Sequence, residues 1–247
     1  MRSVVGECGE QRQLHESVLD QLGFEIVSGA LPAGARISAE EITARFQVSR
    51  TVAREVLRVL ESLDMVRIRR RAGVTVLDQR EWNALDPKMI RWQLAGPGRF
   101  SQLAWLADLR SGVEPLAARL AATHASPTQC GELTAAVIGM SATARAADTA
   151  AYLEHDMQFH ATLLAASGNP LLVAFAPIIR EVLVGRTEHA LMPHHADPRA
   201  LQLHLDVASA VQAGDGAAAE SAMREIVIES ATAVARLEEQ PQADPGL

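Results

Sequence analysis

Residues 49–77, SRTVAREVLRVLESLDMVRIRRRAGVTVL, carry two periodicities in succession. Up to Leu63 the apolar residues Val52, Val56, Leu57 and Leu60 recur at the spacing of one helix face, and Ser49 stands where an N-cap belongs. From Met65 apolar and basic residues alternate around Ala72-Gly73, the pattern of a two-stranded hairpin. Upstream, AEEITARF over 39–46 predicts a shorter helix, joined to the next through a tight connection at Gln47-Val48. Further upstream, QRQLHESVLDQLGFEIVSG over 11–29 places Leu14, Val18, Leu22 and Ile26 on one helical face, and Pro32 and Gly34 break the chain after it. A helix, a helix–turn–helix and a hairpin in that order make a winged helix–turn–helix, expected over residues 1–80.

Such a head reads DNA with the first turns of its second motif helix, which enter the major groove while basic and hydroxyl groups hold phosphates. Ser49, Arg50, Thr51 and Arg54 fall in those turns, and Arg67, Arg69, Arg70 and Arg71 with Gly73 form a basic wing. The plainer reading is a helical pair with a solvated basic hairpin; the hairpin's placement at the right distance argues against it. The net charge of −7 is no obstacle, because it is unevenly spread. Residues 36–80 hold ten arginines against six acids, for +4, whereas residues 81–247 hold eleven Lys/Arg against nineteen acids, for −8. Only the surface that meets phosphates has to be basic.

Residues 81–98 read as a linker with a short helix, ended by Gly96-Pro97-Gly98. Helical spacing then runs through about 100–124, 127–146, 148–167, 170–190, 197–213 and 215–238, so residues 99–240 should form an all-α bundle with a tail over 241–247. Composition agrees: 48% of the residues are hydrophobic, only 4% aromatic, and Ala and Leu are abundant. The chain as a whole is mainly α. No apolar run reaches the roughly 20 residues of a membrane span, and the start lacks a signal peptide's apolar segment. Cys8 and Cys130 form no metal-type cluster, which suits a reducing cytoplasm.

The bundle contains polar residues where apolar ones belong. On a helix over 148–167, Tyr152, Asp156, Phe159, His160 and Leu163 share the stripe that should be buried. His204 shares a stripe with Leu201, Leu205, Ala208 and Val211, and Arg110 with Leu103, Leu106, Val113, Ala117 and Leu120. A lone inward histidine is more often a hydrogen-bonded core residue than a ligand. Two histidines, an aspartate and an arginine together need compensation, because burying unpaired charge costs several kcal/mol or more. Asp156, His160 and His204 offer an O/N/N set suited to a divalent transition metal, zinc or nickel, and Arg110 would clamp a carboxylate beside it.

The run VSRTVAREVLRVLESLDMVRIRRRAGVTV over 48–76 resembles the GntR family of bacterial transcription regulators, in the FadR branch with an all-helical effector domain. The resemblance implies that Arg50, Thr51, Arg54 and the wing-tip Gly73 contact operator DNA. One departure is ISAE at 37–40, where many members carry Pro-Ser-Glu-Arg; Glu40 replaces an arginine that often touches DNA. Residues 103–238 resemble the FCD ligand-binding domain, whose usual pattern is an Asp-x3-His pair followed by two more histidines. Asp156, His160 and His204 match the first three, and the fourth falls at Ile226. Asn169, in a Ser-Gly-Asn-Pro turn, matches a position that commonly borders the effector pocket. REWNALDPKMIRWQL at 80–94 and LRSGVEPLAARLAA at 109–122 are similar to galactonate-type sugar-acid repressors, which implies an aldonate effector.

The expected function is a ligand-responsive transcription repressor, not an enzyme. A homodimer would let two heads read a palindrome. Effector binding would act on the heads through the segment around Trp82 to Trp92. The alternatives are a metalloenzyme built on the same Asp/His/His set, and a helical interaction module whose polar residues merely pair.

Overall fold

The computed structural model describes residues 4–70, 73–188 and 198–239, with side chains from residue 13 onward. The chain forms two compact units, Met1–Arg99 and Phe100–Leu247.

The first unit comprises α1 (Val4–Val27), β1 (Arg36–Ile37), α2 (Ala39–Phe46), α3 (Arg50–Ser62), β2 (Val66–Arg69), β3 (Gly73–Val76) and α4 (Pro87–Ala95). The α2–α3 pair is the helix–turn–helix. A capping box starts α2, with the Ser38 hydroxyl accepting from Glu41 N–H at 3.1 Å while Glu41 Oε2 accepts from Ser38 N–H at 2.8 Å. The turn is made by Gln47, whose φ of 55° closes α2 in the left-handed conformation. Strands β2 and β3 pair in the register Val66↔Val76 to Arg69↔Gly73, the expected wing. The sheet has a third strand the sequence did not suggest: β1 pairs with β3 through Arg36↔Thr75 and Ile37↔Val74, giving the order β1-β3-β2. Two residues carry no alternation to recognise, and this strand exists only through its distant partner.

Residues 81–98 are not detached from the head. Trp82 packs against the head's core and Trp92 is part of it, together with Leu19, Leu22, Leu60 and Met65. The indole N–H of Trp92 donates to Asp20 at 2.9 Å, so α4 is the last helix of the first unit rather than a free connector. Its ring lies flat against Gly23 of α1, where a Cβ would fall 2.6 Å from three ring atoms.

The second unit is helical throughout its described residues: α5 (Arg99–His124), α6 (Pro127–Arg145), α7 (Thr149–Ala166), α8 (Pro170–Val173), α9 (Ala176–Glu188), α10 (Pro198–Ala213) and α11 (Gly216–Glu239). Its main core joins Phe159 and Leu163 of α7 to Leu133 of α6, Val207 of α10 and Met223 of α11. Many contacts are alanines (Ala118, Ala121, Ala136, Ala208, Ala219), which let helix axes approach closely. The single helix expected over 170–190 is two. Pro177 has no N–H to give the carbonyl of Val173, so the chain turns at Ala174-Phe175 and restarts as α9.

Gly23→Ala is expected to destabilise the first unit by roughly 1–3 kcal/mol by overpacking. Alanine's better helix propensity returns only about 1 kcal/mol. Chemical denaturation followed by tryptophan fluorescence measures the balance, and a stability gain would contradict the Gly23–Trp92 packing.

Candidate functional site

On the head, Arg50, Thr51 and Arg54 project from the first turns of α3 into solvent, opposite the buried Ala53, Val56, Leu57 and Leu60. Ser49 is the cap of that helix, its Oγ accepting from Val52 N–H at 3.2 Å. Among the described residues, Arg50 and Arg54 have no ion-pair partner. By contrast, Arg58 pairs with Glu55 at 2.7 Å and Arg67 of the wing pairs with Glu81 at 2.8 Å. Gly73 opens β3 with φ +84°, a conformation L side chains rarely adopt. Arg71 lies outside the described residues.

In the second unit, Asp156 and His160 stand one turn apart on α7, and α10 brings His204 against them. All three are buried. Asp156 Oδ1 is 3.4 Å from His160 Nε2 and 3.3 Å from His204 Nε2, and the three ligand atoms lie within 4.8 Å of one another. Neither contact is a directed hydrogen bond: Asp156 Oδ1 and His204 Nε2 are buried without a hydrogen-bond partner. Polar atoms orphaned in a dry interior are costly, and two of them converging with His160 Nε2 on a point suit a cation better than one another. Ligands about 2.0–2.2 Å from a tetrahedral ion stand roughly 3.3–3.5 Å apart, which matches the two separations.

The other ring nitrogens are already committed. His204 Nδ1 lies 2.7 Å from the carbonyl oxygen of Ala200. A carbonyl only accepts, so Nδ1 carries the hydrogen and the neutral ring presents a bare Nε2. His160 Nδ1 faces Glu114 Oε2 at 2.5 Å, with the geometry of an ion pair rather than a directed hydrogen bond. That carboxylate likewise favours a hydrogen on Nδ1. Partners behind ligating histidines fix tautomer and ring orientation in metal sites, and both rings have one.

Glu114 is the group the sequence reading missed. It is 0% exposed on α5, one turn beyond Arg110, whose Nε donates to its Oε1. An Arg/Glu pair at i,i+4 looks on paper like any surface ion pair. Burial alone would push Glu114 up, but Arg110 and then His160 outweigh it and hold the carboxyl at about 2. Burial would likewise push His160 down; Glu114 and Asp156 overcome this and raise it to about 9 in the metal-free protein. Asp156 is held well below the usual carboxylate range, its burial outweighed by the two histidines.

A cavity of about 290 Å³ opens onto the triad, lined also by Arg110, Arg186, Ile226 and Ser230. Arg110 reaches it, with Nη1 3.5 Å from Ser230 Oγ, but its Nε is taken by Glu114. Arg186 of α9 was not singled out in the sequence either, although Ile179, Val182 and Leu183 stand before it at the helical spacing that turns it inward. Asn169 is not brought to the cavity: its Oδ1 accepts from Leu171 N–H at 3.0 Å and caps α8.

Models of two families match in succession: "Bacterial regulatory proteins, gntR family" over residues 14–76 and "FCD domain" over residues 106–229. The chain belongs to the GntR family, with an FCD effector domain. The Galactonate operon transcriptional repressor of Escherichia coli (strain K12) is 29% identical over 217 residues, covering 87% of this chain and 94% of that protein. The Exu regulon transcriptional regulator of the same strain is 30% identical over 171 residues, 68% of this chain and 62% of that one. The solved structure of E. coli McbR/YncC shares the fold, at 19% identity and a TM-score of 0.53 over 91% of this chain and 98% of that one. The galactonate and Exu proteins are transcription regulators by name, and this GntR-family chain is a transcription regulator and not an enzyme. No helix among the described residues is long and apolar enough to cross a membrane. The place of a fourth histidine in the FCD pattern is filled by Ile226, which lines the cavity beside the triad.

His160 sets opposite pH trends for the two forms of this FCD domain. Its folded value of about 9 exceeds the ordinary 6.5, so its stabilisation is complete below about pH 6.5 and fades as pH rises through 9. Thermal unfolding of chelator-treated protein should show this decline. Metal needs the ring neutral, so zinc affinity should climb by about tenfold per pH unit between pH 6.5 and 8.5. A competition titration against a coloured chelator reads it, and a flat profile would contradict the His160–Glu114 coupling.

Proposed function

We propose that this GntR-family regulator is the repressor of a sugar-acid catabolic operon. In this reading it binds operator DNA as a homodimer and is released by a small polyhydroxy carboxylate such as an aldonate. Arg50 and Arg54 read base edges in the major groove, Ser49 and Thr51 set the start of the recognition helix on the backbone, and Arg71 with Gly73 places the wing. Asp156, His160 and His204 hold a divalent transition metal, zinc or nickel, with Arg110 and Glu114 bracing the set from behind. When bound, the ion supplies acceptor positions for the effector's carboxylate and 2-hydroxyl.

The observation that carries this reading is the convergence of three buried ligand atoms, two of them without hydrogen bonds, on a cavity of about 290 Å³. That volume admits a guest of sugar-acid size. The sugar-acid class is supported by the likeness to the galactonate operon repressor over most of both chains. Cytoplasmic placement follows from the same role.

Two experiments test it. Duplexes enriched from a random pool by the wild-type protein should bind an Arg50→Ala/Arg54→Ala variant at least ~100-fold more weakly in an anisotropy titration, since each lost base contact costs about 1–3 kcal/mol. Undiminished binding by that variant rules out this recognition helix. Protein purified without a metal-affinity tag and loaded with zinc or nickel should retain one ion per chain, and His160→Ala/His204→Ala none. Absence of a stoichiometric ion from the wild type under every loading condition removes the metal from the reading.

A further inference from the structure

Arg186 is 8% exposed, and its Nε is buried without a hydrogen-bond partner. Among the described residues no carboxylate lies within ion-pair distance of it. It lines the cavity of the triad, repelled by Arg110 and drawn from beyond ion-pair distance by Asp156, Tyr152 and Glu229. Two buried guanidinium groups therefore face one chamber, but their states differ. Arg110 spends its Nε on Glu114, which in turn faces His160. Arg186 has no acceptor for its Nε among the described residues. A buried, like-charge-repelled arginine whose Nε has no acceptor among the described residues is costly, and an anion between it and the triad lowers that cost.

We propose that Arg186 is the anion clamp of this chamber, taking the carboxylate of the incoming 2-hydroxy acid by paired N–H donors, while Arg110 is a positioning residue that acts through Glu114 on His160. The inference rests on the effector reading given above and adds a division of labour between the two arginines. Carboxylate matches the guanidinium fork in shape and charge. A neutral polyol of the same size has nothing to offer it.

The test uses calorimetric titrations of the full-length protein, zinc-loaded and metal-free. The probes are glycolate (the smallest 2-hydroxy carboxylate), D-galactonate, and the neutral galactitol. The wild type should bind at least one of the two acids and not galactitol. Arg186→Met should weaken acid binding by at least ~10-fold, the weight of a charge-assisted pair, while zinc affinity stays within about threefold of the wild type. Glu114→Gln should show the reverse: zinc affinity down by about tenfold or more, and acid binding to the zinc-loaded form little changed.

Arg186→Met keeps an apolar side chain of similar length and removes a buried charge with no ion-pair partner among the described residues, so its metal-free form should melt no lower than the wild type. Equal affinity of wild type and Arg186→Met for the acids overturns the clamp, as does failure of both acids to bind the wild type. Glycolate bound through Arg186 without D-galactonate leaves the clamp standing and sinks the sugar-acid reading. The reverse pattern, D-galactonate bound equally by Arg186→Met, leaves that reading standing without the clamp. If zinc is not retained at all, the same loss on Arg186→Met in metal-free protein still decides for or against the clamp.

Discussion

The cost of keeping charge in a dry interior governs the second half of this molecule. Arg110, Glu114, Asp156, His160, Arg186 and His204 lie together in a bundle otherwise built from alanine, leucine and valine. Water cannot stabilise them there, so they must satisfy one another or something that enters. They do the first only partly. Glu114 is balanced in charge from both sides by Arg110 and His160, although its Oε2 and His160 Nδ1 make no directed hydrogen bond; Asp156 Oδ1, His204 Nε2 and Arg186 Nε make none either among the described residues and lie toward the cavity. The inner layer of the cluster is thus internally balanced, and the layer facing the cavity is left wanting a cation and an anion. That gradation separates a binding site from a salt-bridged core.

The fold delivers this arrangement with few demands on loops. Every one of these six residues sits on a helix, two of them on α5, two on α7, and one each on α9 and α10. Donor positions are therefore set by helix packing, and small residues such as Ala118 and Ala208 at the contacts let the axes come close enough for side chains from separate helices to meet. Phe159, fully buried between the two liganding residues of α7 in sequence, presses edge-on against both imidazole rings and restricts their tilt.

Much of this was legible beforehand because it is local. The recognition helix announces itself through Val52, Val56, Leu57 and Leu60, the wing through its alternation, and the Asp156–His160 pair through a spacing of four on an apolar stripe. His204 was found the same way. What escaped depends on partners far away in sequence. Strand β1 is two residues long and is defined by β3; α4 looked like a connector until Trp92 met Asp20 and Gly23. Glu114 was masked by its own neighbour, because Arg110 four residues before it reads as a surface ion pair. The division of 170–190 into α8 and α9 is different: Pro177 and its missing N–H are local, and the break is legible in the sequence itself. Asn169 was read through family likeness, and its side chain turns out to be occupied with capping α8.

Ile226 gives the chamber an uneven mechanical character. The triad draws on α7 and α10 alone, so an ion there stitches those two helices while α11 offers it a hydrocarbon side chain. Helix α11 is kept in place by Ala219, Met223 and Val227 interdigitating with its neighbours and by the exposed ion pairs of Glu220 with Arg119 and Glu225 with Arg199, contacts that give more readily than coordinate bonds stretch. Of the cavity's walls α11 would then be the compliant one, the first to give way to a bulkier occupant.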